Sequence, residues 1–207
     1  MARTLGVIGD TRAVDILLDM MGGDDSFSGS FRQVSATALG QIGDLRAIPA
    51  LVLGLEDWET NEASAQALSR IGWTPSTTAE KMHYWVALRD KRQLLERWGE
   101  TTEVLLEDLL GSAPICRREW REEPDVDFCS ADERRLHNAC KALLILGRSE
   151  MIPFLIEALH ESDNDHLAYV LLGSRNRELV PFPLGEFRVS QPSPKWALTS
   201  IRHSGFT

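Results

Sequence analysis

The chain has 207 residues, a formal net charge of −9 and 43% hydrophobic residues. This length can bury a continuous core, no apolar run approaches the ~20 residues of a membrane span, and the acidic balance disfavours nonspecific binding to a phosphate backbone. The three cysteines form no C-x-x-C pair and are odd in number, which argues against a disulfide framework and leads us to expect a reducing, cytoplasmic setting.

One pattern occurs three times along the chain. Residues 38–51 contain apolar residues at helical spacing, then Gly43 and Asp44, then a second apolar run. Residues 5–14 repeat this pattern 34 positions earlier, and residues 142–155 repeat it 104 positions later. A helix-turn-helix unit with a period in the thirties predicts an all-α fold, an α-α superhelix whose units stack because none can bury its apolar face alone.

The first unit begins with a short helix. Residues 1–8 provide barely two helical turns, whereas the following helix places Val14, Leu17 and Leu18 on one apolar stripe. So short a partner should leave these three side chains poorly covered. We therefore expect self-association or docking at the N-terminal end, or burial of that end by the C-terminal tail.

The second unit has the most regular pattern. Gly43 suits a left-handed residue after the first helix, and Asp44 can accept hydrogen bonds from the unpaired N–H groups of the second. Pro49 fits only within the first turn of that second helix. The residues predicted to share the buried face of the first helix are Phe31, Val34, Ala38, Leu39 and Ile42.

The pattern lapses and returns in the second half of the chain. Between residues 111 and 133, two prolines and a dense run of charges predict an inserted loop. Periodicity returns over residues 135–160 as a fourth unit, so we assign residues 1–173 to the repeat array. Residues 174–207 contain four prolines and more basic than acidic residues, which predicts an irregular, basic C-terminal tail.

The repeated segment resembles HEAT repeats, in particular the short bacterial repeats of phycobilisome-lyase-like proteins. The resemblance lies in Ala-Leu-Gly-x-Ile-Gly-Asp-x-Arg-Ala-Ile-Pro-x-Leu at residues 38–51. It implies a right-handed superhelix of antiparallel helix pairs, with the second helices lining the concave side. It implies little about function, because such proteins are mostly interaction scaffolds, with a few enzymes among them.

Metal and catalytic sites have little support in the sequence. Enzymes resembling deoxyhypusine hydroxylase hold di-iron through several His-Glu pairs, but this chain has one such pair, His160 and Glu161. His137 and Cys140 are spaced to share a metal; however, Cys140 falls on a core stripe, His137 reads as a surface residue, and two ligands are too few for structural zinc. Phosphate-loop and nucleophile-elbow motifs are absent. We expect no catalytic residue, no metal and no cofactor.

The leading functional hypothesis is a non-enzymatic scaffold that binds another protein through an acidic concave surface. The predicted second helices carry seven acids, which also argue against nucleic-acid binding: Asp15, Asp19, Glu56, Asp57, Glu107, Asp108 and Glu157. We select Glu56, Asp57 and Trp58 as partner-binding residues, since exposed tryptophans often anchor interfaces. The alternative for Trp58 is packing against the next repeat.

The competing hypothesis is a bilin-lyase-like or chromophore-chaperone protein that handles an open-chain tetrapyrrole. Such a protein needs a groove with aromatic walls, and Trp73, Tyr84 and Trp85 could supply them. Against this, Trp85 and Trp98 could simply fill the core between irregular helices.

Overall fold

The computed structural model describes residues 2–22, 29–122 and 131–162 of the chain. Within these residues the secondary structure is helical, without a β-strand, so the predicted all-α fold is confirmed. None of the described helices combines the length and apolarity needed to cross a bilayer. The helices are α1 (Ala2–Ile8), α2 (Val14–Gly22), α3 (Gly29–Ile42), α4 (Ile48–Leu53), α5 (Asn61–Ile71), α6 (Thr78–Ala87), α7 (Lys91–Glu96), α8 (Trp98–Glu122), α9 (Ala131–Leu146) and α10 (Ile152–Ser162).

The three sequence repeats adopt the same local structure. The first helix of each ends at a glycine with positive φ, which is 73° at Gly9, 75° at Gly43 and 70° at Gly147. Glycine accepts this left-handed conformation because it has no Cβ to clash with the backbone. A 3₁₀ turn then leads directly into the second helix: Thr11–Ala13 before α2, Leu45–Ala47 before α4 and Ser149–Met151 before α10.

Aspartates cap the first two of these turns. The carboxylates of Asp10 and Asp44 accept hydrogen bonds from the backbone N–H groups of Arg12 and Arg46, both at 2.9 Å. Hydrogen bonds from the same arginine side chains, and then from these N–H groups, lower the pKa of both carboxyls, to about 2 for Asp10. The predicted cap at Asp44 is confirmed, and Pro49 lies in the first turn of α4 as expected.

The first helices stack through close contacts between a glycine and an alanine. α1 packs on α3, and α3 packs on α5. A Cβ added at Gly6 would lie 2.8 Å from the Cα of Ala38, and one added at Gly40 would lie 2.5 Å from the Cα of Ala67. Each alanine stands five residues before its own turn glycine, so the same contact recurs from unit to unit. This repetition is the neighbour-to-neighbour packing of a helical-repeat array.

The row of first helices is interrupted after α5. The α5 residue equivalent to Gly6 and Gly40 is Ser69, which is exposed. Helix α9, the first helix of the fourth unit, packs on α8, and α10 also packs on α8. Asn138 of α9 contacts the start of the third unit, where its Oδ1 accepts a hydrogen bond from Asn61 Nδ2 at 2.8 Å. Its Nδ2 donates to the Leu55 carbonyl, just before that unit, at 3.2 Å.

The inserted loop predicted over residues 111–133 is wrong for its first half. Helix α8 continues without interruption to Glu122, with Pro114 in its interior. Proline removes one backbone hydrogen bond there, but the apolar face of α8 is covered by α9 and α10, and this packing holds the helix together. Residues 123–130 and the predicted tail, 174–207, lie outside the described residues.

Two hydrophobic clusters form the core. The first joins α1 to α5 and one side of α6, and the second joins the other side of α6 to α7, α8, α9 and α10. Phe31 was assigned to the buried face of α3, and this is wrong: Phe31 is 53% exposed, whereas the next residue, Arg32, is 5% exposed. Arg32 pairs with Asp57 and Glu59. Because adjacent residues on a helix point about 100° apart, the side chain of Phe31 points away from these carboxylates.

The expected exposure of the α2 stripe is also wrong in part. Val14 and Leu17 are fully buried, because α3 and α4 pack on α2. Ile16 of α2 is 52% exposed, and the most exposed apolar side chains of this unit are Val7 and Ile8, at 79% and 65%. Self-association at the N-terminal end therefore stays a prediction, with these two residues as its contact surface.

Candidate functional site

The segment between α4 and α5, residues 54–60, contains the three residues selected from the sequence, and we call it the central segment. The hydroxyl of Thr60 donates to the Gly54 carbonyl at 3.0 Å and closes the segment into a compact turn. The Glu59 N–H donates to an Asp57 carboxylate oxygen at 2.8 Å. This connection is therefore ordered by its own hydrogen bonds, and it lies where α3, α6 and α9 approach one another.

Glu56 faces the interior of the molecule. Its carboxylate accepts a hydrogen bond from Arg135 Nε at 2.9 Å and lies 2.8 Å from Arg135 Nη2. On the other side, Glu56 Oε1 lies 3.9 Å from His83 Nδ1, and His83 Nε2 lies 2.7 Å from Asp108 Oδ2. His83 is only 5% exposed, so this chain of polar contacts ties α6, α8 and α9 to the central segment.

Asp57 is likewise engaged within the chain. It lies 3.0 Å from Arg134 Nε and 3.5 Å from Arg32 Nη2, and Arg32 also pairs with Glu59. Burial is the largest influence on Asp57 and raises the pKa of its carboxyl in spite of both arginines. The structure therefore uses Glu56 and Asp57 as interior ion-pair partners that join the two halves of the array.

Trp58 is half-buried against α9. Its ring meets His137 edge-on, with centroids 6.1 Å apart, and Lys141 Nζ lies 3.6 Å from its ring centroid. Trp58 therefore packs against another repeat, as in the alternative stated for it. The contacted helix, α9, belongs to the fourth unit and not to the third. His137 is 1% exposed, so its predicted surface position is wrong.

Cys140 is part of the second core cluster, as its position on the apolar stripe predicts. Burial raises the pKa of its thiol to about 12, so the group stays protonated and acts as a small hydrophobe. Within residues 2–22, 29–122 and 131–162 no group of histidine, cysteine and carboxylate side chains could hold a metal ion. The side chains of His160 and Glu161 lie outside the described part.

The aromatic residues selected as groove walls lie on different sides of α6. Trp73 and Tyr84 meet edge-on with centroids 5.8 Å apart and pack on the first core cluster. Trp85 packs on the second cluster, with the Arg97 guanidinium 5.7 Å from its ring centroid. Adjacent residues on a helix point about 100° apart, and this separates Tyr84 from Trp85. Trp98 also packs on the second cluster.

An exposed apolar stripe runs along the second helix of the second unit. Leu45 and Leu53 are 67% and 66% exposed, and Pro49, midway between them, is also exposed. Their spacing of four residues places them on one side of the 3₁₀ turn and α4. The inward stripe predicted for this helix does not include these positions, although their four-residue spacing is visible in the sequence.

The equivalent positions of the first unit are polar. Asp15 and Asp19 stand 34 residues before Pro49 and Leu53, and both are exposed on α2, which contacts α4. Arg46 links the two units, since it lies 3.0 Å from an Asp15 carboxylate oxygen. We call these two acids together with Leu45, Pro49 and Leu53 the second-helix surface.

A groove of about 270 Å³ lies between the start of α5, the end of α6 and α9. Trp58 forms part of its wall, whereas Trp73, Tyr84 and Trp85 do not line it. Its rim carries three cationic residues, Arg89, Lys91 and Lys141. No pattern in the sequence indicates this groove, because its walls come from segments that are distant along the chain.

Residues 31–57 match the protein family described as PBS lyase HEAT-like repeat. The match spans α3, the Gly43 turn, α4 and the start of the central segment, which together form the second unit. It confirms the resemblance to HEAT repeats inferred from residues 38–51. No curated protein is significantly similar to the chain.

Proposed function

We propose that this chain is a non-enzymatic helical-repeat scaffold that binds another protein through the second-helix surface. The observation that carries the proposal is the exposure of Leu45 and Leu53, each about two-thirds accessible on a well-packed repeat. Large aliphatic side chains at helical spacing fit the apolar pockets of a partner, and stacked repeats offer extended surfaces of this kind.

The charges beside the stripe define the chemistry of the partner. Asp19 carries its charge next to the apolar stripe, and Asp15 shares its charge with Arg46. A partner that fits has an apolar contact bordered by lysine or arginine. Because the acids are exposed, they should accelerate association more than they strengthen the complex, and salt should slow that association.

This proposal moves the interface away from Glu56, Asp57 and Trp58. The two carboxylates already have arginine partners within the chain, and the Trp58 ring packs on α9. Exposing them to a partner would break contacts between the two halves of the array. The second-helix surface needs no such rearrangement.

Affinity capture from the source cells tests the proposal with three baits. Leu45→Ser/Leu53→Ser removes the stripe, whereas Leu88→Ser removes an exposed apolar side chain outside it. We expect one set of proteins that the wild type and Leu88→Ser retain and the double variant loses, with all three baits showing the same helical circular dichroism. Identical captured sets from all three baits would contradict the proposed surface.

The family description supports tetrapyrrole handling as a second function, but the geometry favours it less. Trp73 and Trp85 belong to different core clusters, and the groove, at about 270 Å³, is below the ~300–1,000 Å³ of pockets for drug-sized ligands. Titration with biliverdin, read by its absorbance, separates the two functions. A stoichiometric spectral change would favour the chromophore function.

A further inference from the structure

The groove beside α9 arises where the row of first helices is interrupted. In the second and third units, the alanine five residues before the turn glycine, Ala38 or Ala67, packs on the helix of the preceding unit. The equivalent residue of the fourth unit is Ala142, and it lines the groove. The interruption therefore leaves open a space next to a position that neighbour packing covers elsewhere in the array.

The interior of this groove suits a flat apolar group. Ala87, Leu94 and Ala142 provide a buried aliphatic floor, and the Trp58 ring stands at one end. The amides of Asn61 and Asn138 also line it, but they hydrogen-bond to each other. A bound molecule would therefore meet mainly carbon atoms inside the groove.

The rim of the groove is cationic, although the protein as a whole is acidic. Lys91 Nζ donates one hydrogen bond, to the Ile145 carbonyl at 3.2 Å, and an ammonium group has three N–H donors. Arg89 Nη2 lies 4.0 Å from Glu62, and both side chains are mostly exposed, so this ion pair is weak. The rim therefore has donors and positive charge available to an anion.

Arg89 is held in a conformation that arginine rarely adopts. Its φ is 56°, at the C-terminal end of α6, where the Asp90 N–H donates to the Trp85 carbonyl at 2.9 Å. Among the described residues, the other positions with positive φ are all glycines: Gly9, Gly43, Gly72 and Gly147. Strained backbone conformations cluster at functional sites, and here the conformation places a guanidinium at the groove rim.

We propose that the groove binds a small organic carboxylate, with its flat apolar body against Trp58 and the aliphatic floor and its carboxylate paired with Arg89 and Lys91. Guanidinium groups match carboxylates in geometry, and the cavity volume limits the body to a compact group. The groove is separate from the second-helix surface, so this proposal can be tested independently of the proposed protein partner.

Isothermal titration calorimetry with 3-phenylpropionate tests the assignment. The matched neutral compound is 3-phenyl-1-propanol, and inorganic phosphate tests the contribution of charge alone. We expect binding of 3-phenylpropionate that weakens with added salt, and at least tenfold weaker binding of the other two. The indole N–H resonance of Trp58, assigned by its loss in Trp58→Phe, should shift with the carboxylate.

Arg89→Gly provides the deciding variant. Glycine relieves the backbone strain, so the variant should fold at least as stably as the wild type while binding 3-phenylpropionate at least tenfold more weakly. Arg92→Gln, which removes an exposed cation of α7 outside the groove lining, should bind as the wild type does. No measurable binding of 3-phenylpropionate, equal binding of the alcohol or of phosphate, or unchanged affinity in Arg89→Gly would each overturn the proposal.

Discussion

The substitution Gly40→Ala tests the contact that stacks the first helices. A Cβ built on Gly40 lies 2.5 Å from both the Cα and the Cβ of Ala67. Carbon atoms in contact normally lie ~3.5–4.0 Å apart, so α3 and α5 would have to separate by about 1 Å. The obstruction includes a backbone atom of α5, which rotation of a side chain cannot remove.

Two opposing effects set the size of the change. Alanine favours a helix over glycine by about 1 kcal/mol, whereas forcing extra volume into a packed interface costs about 1–3 kcal/mol. We place Gly40→Ala near the upper end of that cost, because the neighbouring Leu39 and Leu68 are fully buried and would lose packing as well. The expected net loss is about 2 kcal/mol in the free energy of unfolding, or about 4–8 °C in Tm.

Gly111→Ala is the matched control. Gly111 lies within α8, and no atom lies within 4 Å of an added Cβ, so alanine should raise stability by about 0.5–1 kcal/mol. Urea unfolding followed by circular dichroism measures both variants. The two variants should change the free energy of unfolding in opposite directions. If Gly40→Ala is as stable as Gly111→Ala, α3 and α5 do not approach as closely as described. Adding Ala67→Gly should restore only part of the loss, because the Cα obstruction stays.

Three further predictions concern the charges and the thiol. Arg32→Met should lower the free energy of unfolding by about 2 kcal/mol, because Glu59 loses its arginine and Asp57 keeps only Arg134. Arg92→Met, which removes a surface ion pair, should change the free energy of unfolding by less than about 1 kcal/mol. Urea unfolding measures both variants, and equal losses would contradict the buried role of Arg32. Cys140 should react with N-ethylmaleimide at pH 8 only in the unfolded chain, because burial raises the pKa of its thiol to about 12. Peptide mass spectrometry measures the labelling, and rapid labelling of the folded protein would contradict the burial of Cys140. The pKa of the Asp10 carboxyl is lowered from 3.8 to about 2, so its contribution to stability is present above pH 3.8 and is lost as the pH falls through about 2. Asp10→Asn should flatten the plot of unfolding free energy against pH in that interval. An unchanged plot would show that the cap contributes nothing.

The features that the sequence predicts well are local. Gly43 must take a left-handed conformation to end α3, and Asp44 must accept a bond from a residue two positions away, so each is determined within a few residues. Repetition strengthens the inference, because a left-handed glycine also ends the first helix at Gly9 and at Gly147. The buried stripe of α2, including Leu17, follows from helical spacing alone.

The features that the sequence misses depend on distant partners. Glu56 and Asp57 read as exposed acids at a helix end, yet their partners, Arg135 and Arg134, lie more than 70 residues further along the chain. The buried position of Arg32, next to the exposed Phe31, follows from the same carboxylates. Charge patterns along one helix give no information about such pairs, so the arginine partners of Glu56 and Asp57 could not be anticipated from the acids themselves.

The interruption of the row explains why charged residues are buried at the centre of an otherwise regular array. Where helices stack on equivalent helices, glycine and alanine bring the backbones together and leave no room for long side chains. At the interruption, α9 packs on α8, and arginines of α3 and α9 pair with the carboxylates of the central segment. The same interruption opens the groove beside Ala142. If α7 and α8 were shortened so that α9 could stack directly on α5, we would expect the arginine pairs and the groove to be lost together, while the second-helix surface, formed wholly by the first two units, would keep its shape.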